Sequence, residues 1–197
     1  MARWSLATLP KHLSATQVRQ VLHHCDRSTP LGRRNCAILL LLARLGLRAG
    51  EVVRLNLEDL DWDHARITVC GKGQRAPLPL PAEVARALAR YLRRDRPRCA
   101  CRRVFLRDYA PLGGFHHAAA IAKIVQCALA TAGVVSARKG AHLLRHSLAT
   151  DMLRQGASLD EIGEVLRHKS PDSTALYAKV DLQALRALAL PWPGGVR

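Results

Sequence analysis

The sequence predicts a mainly helical fold carrying one small three-stranded antiparallel sheet, and three observations predict it. Residues 14–55, and nearly everything beyond Ala82, place apolar side chains at helical spacing between capping and glycine signals. Between those stretches, residues 57–81 break into short alternating runs separated by turn residues. The chain has 197 residues, 49% of them hydrophobic, which is enough for one substantial core and too apolar for a disordered chain.

The first helix is predicted from Ser14, an N-cap with Gln17 at the capping-box position, to about Cys25, with Val18, Val21 and Leu22 on its apolar face. The second, from about Arg33 to Leu45, is apolar nearly all round, which marks it as the central buried helix. Gly46 interrupts the pattern, and a short helix from about Ala49 to Leu55 follows, with Arg48 at or just before its first turn. Unpaired backbone N–H groups at such a turn favour an anion. Leu57–Asp61, Arg66–Cys70 and Ala76–Leu80 read as strands. The last two are joined by Gly71-Lys72-Gly73-Gln74, a glycine-flanked hairpin turn with Lys72 on its tip. Helices are then predicted near 82–94, 115–132, 142–155, 158–166, 172–179 and 181–189, with Arg93–Arg103 a basic connector and Pro191–Gly195 a loose tail. The connector reads as a stretch that contacts a nucleic-acid backbone or is simply solvated.

Against 15 Asp plus Glu stand 31 Lys plus Arg, a formal net charge of +16. An excess of that size calls for an acidic partner, either nucleic acid or an anionic membrane surface. The longest strongly apolar run, Asn35–Ala43, lies between Arg34 and Arg44 and falls short of the ~20 residues that span a bilayer. Met1–Pro10 carries Arg3 without the apolar segment of a secretory signal, so the chain is expected to act in the cytoplasm, with no membrane partner. The six cysteines are expected to be reduced, and Cys99, Cys101, His116 and His117 match the spacing of no familiar zinc finger.

The densest polar signal is His142-Leu143-Leu144-Arg145-His146. His142 and Arg145 stand at i and i+3, so a helix puts both on one face, where they can meet one ligand. His168 and Tyr177 follow, beyond a turn at Gly156. Taken singly, the His-x-x-Arg pair fits a solvated helix face and Tyr177 a half-buried aromatic. The chain has only three tyrosines, which makes one placed near two histidines and an arginine harder to ascribe to abundance. The acidic run Glu58-Asp59-Leu60-Asp61-Trp62-Asp63 admits the carboxylate site of a two-metal nuclease, but its alternation fits a solvated strand edge better.

In order along the chain, these residues resemble the catalytic domain of the tyrosine recombinase, or phage integrase, family. Leu45-Gly46-Leu47-Arg48-Ala49-Gly50-Glu51-Val52 resembles the first arginine motif, and Val69-Cys70-Gly71-Lys72-Gly73 the lysine hairpin. His142-Leu143-Leu144-Arg145-His146 resembles the His-x-x-Arg motif, and Leu166-Arg167-His168 with Thr174-Ala175-Leu176-Tyr177 the segment that ends in the nucleophile. Arg145 and His168 are 23 positions apart, and His168 and Tyr177 are 9 apart.

The resemblance implies a site-specific recombinase or integrase, serving a mobile element, that cuts and rejoins double-stranded DNA through a 3′-phosphotyrosyl intermediate. Tyr177 would be the nucleophile. Arg48 and Arg145 would face the non-bridging oxygens, because a guanidinium stays charged and offers forked donors to a phosphate whose charge grows in the transition state. His142 and His168 would accept the tyrosine proton or hold the phosphate, and Lys72 would protonate the departing 5′ oxygen. Glu51, one helical turn from Arg48, would orient that arginine, and His146 would support the site. Bond energy stays in the tyrosyl ester, so neither ATP, metal nor other cofactor is expected. Further copies of the chain, in a tetrameric synapse on DNA, are the other expected partner.

Two departures from the family pattern stand out. Arg167 occupies the place where the family usually has glycine, adding charge near the phosphate. At the front, two-domain members carry a DNA-clamping domain of roughly 100 residues, whereas here about ten residues precede the first helix. The expected organisation is therefore a catalytic domain over 1–190 and a tail over 191–197, with no N-terminal core-binding domain. The rival reading is a catalytically impaired or truncated DNA-binding remnant. Asp181–Leu190 is the expected counterpart of the segment that packs against a neighbouring protomer in the family.

Overall fold

The computed structural model describes residues 12–71, 75–138, 140–168, 174 and 177. Within them the chain is mainly helical with one three-stranded antiparallel sheet, as predicted. The helix α1 (Ala15–His23) starts with the expected reciprocal cap: Gln17 N–H donates to Ser14 Oγ at 3.2 Å and Ser14 N–H to Gln17 Oε1 at 2.9 Å. Leu13, just before the cap, donates its N–H to Ser147 Oγ at 2.8 Å. That bond ties the start of α1 to a helix more than a hundred residues away.

The helix α2 (Pro30–Leu45) begins three residues before the predicted Arg33. Thr29 caps it by accepting from Gly32 N–H at 3.1 Å, and Pro30 fills the first-turn position where a missing N–H costs nothing. Every residue from Cys36 to Ala43 is buried, and α1 and three further helices, α4 (Ala82–Arg94), α5 (Ala118–Thr131) and α6 (Ala141–Arg154), pack around it. This is the expected central helix.

Short α3 (Ala49–Arg54) leads into the sheet, ordered β1 (Leu60–Asp61), β2 (Arg66–Cys70) and β3 (Arg75–Pro79). Of the predicted first strand only Leu60 and Asp61 pair, because Leu57–Asp59 winds into a 3-10 turn. Asp59 causes this: its Oδ2 accepts the Asn56 N–H at 2.9 Å and its Oδ1 meets Arg75 at 2.8 Å, fixing the chain before the ladder begins. Ile67 and Val69 point into the core from β2, while β3 is an edge strand, where Pro77 and Pro79 are tolerated.

The basic connector is more built than expected. Arg96 donates to the carbonyls of Cys101, Arg103 and Val104, Arg103 to that of Arg54 and to Asn56 Oδ1, and Val104, Phe105 and Leu106 are buried. These arginines satisfy loop carbonyls that folding takes out of water, which a charge run in sequence does not reveal. A bridge between Leu106 and Gly114 keeps the chain extended, so α5 starts at Ala118 and not near 115. The helix α7 (Leu159–Leu166) closes the described fold, and Thr174 and Tyr177 have helical backbone beyond it. Tyr177 joins Ala149, Ile162 and Leu166 in a second apolar cluster beside the main core. Lys72, Met1–Pro10 and Asp181–Leu190 lie outside the described residues, as do 178–197 as a whole. Among the described residues no helix is long and apolar enough to cross a membrane.

Candidate active site

Three helix ends converge on one place: the start of α3, the first turn of α6 and the end of α7. Arg48 is the N-cap residue of α3, in extended backbone. Its N–H donates to Glu51 Oε2 at 2.8 Å and its Nη1 to Glu51 Oε1 at 3.0 Å, so one carboxylate caps the helix and grips the guanidinium together. Glu51 is buried, at 2% exposure, and burial alone would push its carboxyl up. The Arg48 N–H and the charges of Arg167 and Arg48 outweigh burial and hold it below the ordinary value, so it stays ionised. Glu51, expected from the sequence to orient Arg48, lies within hydrogen-bond reach of its guanidinium.

Arg145 is 3% exposed and anchored by main-chain oxygens, donating Nη1 to the Gly46 carbonyl at 2.5 Å and Nη2 to that of Leu166. Two carbonyls fix its plane and leave the rest of its five-donor fork for another ligand. Burial, followed by repulsion from Arg48 and Arg167, lowers its pKa to about 10, so it remains a cation at neutral pH. Gly46 makes the anchor possible. It ends α2 in the left-handed region (φ 58°), and a Cβ there would meet Leu166 Cδ2 at 2.5 Å.

Tyr177, 1% exposed, lies among the histidines. His146 Nδ1 is 2.6 Å from its hydroxyl, with ring centroids 5.7 Å apart. The ring of His168 is stacked parallel to it at 6.2 Å, and His168 Nδ1 is held by Thr174 Oγ1 at 2.7 Å. His142 and His146 are one helical turn apart, their rings 6.4 Å from each other. Burial and then neighbouring positive charge lower His146 and His168 to about 4, and His142 moves the same way. These imidazoles are therefore neutral at pH 7, and His146 can take the tyrosine O–H as an acceptor. Burial raises the Tyr177 phenol above its ordinary value, with Arg145 opposing. At rest the proton stays on the tyrosine.

Of the sequence-predicted residues, the structure thus gathers Arg48, Glu51, Arg145, His146, His168 and Tyr177, with His142 at the exposed start of α6. The root of the Lys72 hairpin is placed as well: Arg54 of α3 donates to the Cys70 carbonyl at 3.3 Å. His146, expected only to support the site, is the histidine that touches the tyrosine. Its place one turn from His142 was the available signal. Thr174 was missed, although it stands three residues before Tyr177 on the same helical face.

Arg167 does not project its charge freely. Its Nη2 donates to Glu51 Oε2 at 2.9 Å, and its carbonyl accepts Arg48 Nη2 at 3.3 Å. Its backbone is left-handed (φ 55°, ψ 52°), a conformation that glycine adopts freely and that costs another residue roughly 1–3 kcal/mol. In the acidic run, Glu58 pairs with Arg102 and Asp59 with Arg75, and Asp61 accepts from the His64 backbone N–H and lies 2.9 Å from its ring Nδ1, so three of the carboxylates already have partners. Among the described residues no three His, Cys, Asp or Glu side chains gather as metal ligands, and the six cysteines are free thiols.

A helical domain with a small antiparallel sheet, whose helix ends bring arginines and histidines around a buried tyrosine, belongs to the class of DNA breaking and rejoining folds that the motifs resemble. The chain is a member of the phage integrase family, whose model matches residues 11–184. It is 55% identical over 194 residues to the putative integrase/recombinase y4rA of Sinorhizobium fredii, covering 98% of this chain and 47% of that protein. To y4gC of the same organism it is 39% identical, covering 94% of this chain and 97% of the relative. With tyrosine recombinase XerD of Listeria innocua the identity is 34%, over 88% of this chain and 59% of that protein. The chain spans about half the length of y4rA and of y4rF, another Sinorhizobium fredii relative, 47% and 46% respectively. Among solved structures, XerH site-specific recombinase bound to its difH substrate superposes with a TM-score of 0.82 at 24% identity, over 97% of this chain and 56% of that one.

Proposed function

We propose that this chain cuts and rejoins duplex DNA as a site-specific recombinase, with Tyr177 as the nucleophile. The observation that carries the reading is the 2.6 Å contact between the Tyr177 hydroxyl and His146 Nδ1, made beside Arg145 and His168. A structural tyrosine needs neither an imidazole acceptor on its hydroxyl nor an arginine beside it. The solved relative bound to DNA and the names of the homologues support the substrate class, and the integrase names support a mobile-element setting.

In this reading a DNA phosphate sits against the unspent donors of Arg48 and Arg145, with His142 and His168 at its flanks. A bound phosphate adds negative charge next to His146 and raises that imidazole's proton affinity, while the arginines stabilise the phenolate. The substrate thereby narrows the gap that keeps the proton on Tyr177 at rest, and transfer to His146 accompanies attack on phosphorus. Lys72, as the family resemblance implies, protonates the leaving 5′ oxygen. The products are a 3′-phosphotyrosyl ester and a free 5′ hydroxyl, and the reverse attack reseals the strand. Exchange between two duplexes requires four cut strands, hence several copies of the chain on DNA.

The test is incubation with supercoiled plasmid in EDTA. Relaxation with a covalent protein–DNA adduct is expected, and Tyr177→Phe should abolish both. Binding without an adduct would instead leave a DNA-binding remnant, and activity that survives Tyr177→Phe would refute the assignment.

A further inference from the structure

We propose that Arg167 is a positioning residue of the phosphate site, sharing the Glu51 carboxylate so that Arg48 is held in place without being neutralised. The inference rests on the proposed function and goes beyond the family pattern, since this position is where a glycine is expected.

Three observations carry it. First, Glu51 is buried and receives three donors: Arg48 N–H and Arg167 Nη2 on Oε2, and Arg48 Nη1 on Oε1. With glycine at 167, Arg48 and Glu51 would form a closed pair of zero net charge, and a phosphate would have to compete with Glu51 for Arg48. With Arg167 present the trio carries a net positive charge, while Glu51 still fixes the direction of the Arg48 guanidinium.

Second, the segment 166–168 holds both of the other arginines of the site among the described residues. The Leu166 carbonyl accepts from Arg145 and the Arg167 carbonyl from Arg48, and His168 follows directly. The left-handed turn at 167 is what lets consecutive carbonyls serve two different arginines. Third, the position is costly. Its backbone conformation is one of two non-glycine positive φ values among the described residues, and Arg167 Nε is buried with no hydrogen-bond partner among them. Strain and an orphaned donor retained at one residue beside a candidate site are the pattern expected where the side chain serves function.

Arg167→Gly separates the two roles, because it removes backbone strain and charge together. The full chain with Arg167→Gly should melt no lower than the parent, yet form the Tyr177-dependent adduct on supercoiled plasmid about tenfold more slowly. Arg167→Lys, which keeps the charge, should recover most of the rate. In a Glu51→Gln background Arg167→Gly should have no further effect, since the carboxylate it shares is gone. Titration with inorganic phosphate, followed by NMR, reads the same site without chemistry, and Arg167→Gly should weaken binding severalfold. A parent-like adduct rate in Arg167→Gly, or an equal loss in the Glu51→Gln background, overturns the positioning role while Tyr177→Phe still reports on the function. Should the parent form no adduct, the function falls, and unchanged phosphate affinity in Arg167→Gly would then overturn this inference separately.

Discussion

Two sets of arginines divide this molecule. Arg48, Arg145 and Arg167 are each held by a carboxylate or a main-chain carbonyl, and the last two are largely removed from water. Arg86, Arg90 and Arg93, on the outer face of α4, are exposed beside Trp62 and make no hydrogen bond or ion pair among the described residues. Trp62 follows β1 at the end of the sheet opposite Cys70, which leads into the Lys72 turn, and β2 spans about 14 Å between those ends. The first set has lost its freedom and gained direction, so each guanidinium is a fixed donor. The second keeps mobility and solvation, and offers charge without aim. A net charge of +16 treats the two alike.

The largest effect that would break the distinction is expected at Arg145. Arg145→Lys keeps the charge but cannot hold two carbonyls and a phosphate from one rigid fork. If direction matters more than charge, adduct formation should fall at least 10²-fold, in line with loss of a preorganised donor at a developing charge, about 3 kcal/mol. Thermal stability should fall too, because the Gly46 and Leu166 carbonyls lose partners in a buried place. Near-normal adduct formation by Arg145→Lys would mean that charge alone suffices.

A smaller effect lies in acid. His146 and His168 have folded pKa values of about 4, below the 6.5 of the unfolded chain. The unfolded state therefore binds more protons below about pH 6.5, and the stability these neutral rings confer, fully present above that value, is lost as pH falls toward 4. The melting temperature is expected to decline steadily across that window. His146→Gln should flatten the decline and slow the adduct step at neutral pH by about 10²-fold, the lower range for a positioned base. An unchanged acid limb would place the ring in a more solvated setting than the contact with Tyr177 implies.

What the sequence disclosed depends on the range over which each feature is determined. The Ser14–Gln17 cap and the burial of α2 are local, and Thr29-Pro30, read as a cap, would have placed its start correctly. Arg48, Arg145 and Tyr177 were legible as a resemblance because each stands in a short motif that is contiguous in sequence. The meeting of His146 with Tyr177 was not, since it depends on where α7 turns the chain back. Arg167 was legible only as an anomaly. The turn at 167 is left-handed, a conformation glycine adopts freely, and the arginine that stands there gives its side chain to Glu51. Arg96 and Arg103 were misjudged because the carbonyls they satisfy are assembled only by folding.

The weakest effect expected is at the free arginines of α4. Replacing Arg86, Arg90 and Arg93 with glutamine should leave the melting temperature and the adduct rate at low salt unchanged, because all three are exposed and none is hydrogen-bonded or ion-paired among the described residues. It should instead reduce the salt dependence of DNA binding, by up to about one in log–log slope for each arginine that reaches a phosphate. The slope thus counts how far along the duplex the basic surface extends past the site. An unchanged slope would put the α4 face off the DNA path, and a reduced adduct rate at low salt would mean that these side chains also aim the scissile phosphate, contrary to the division between held and free arginines.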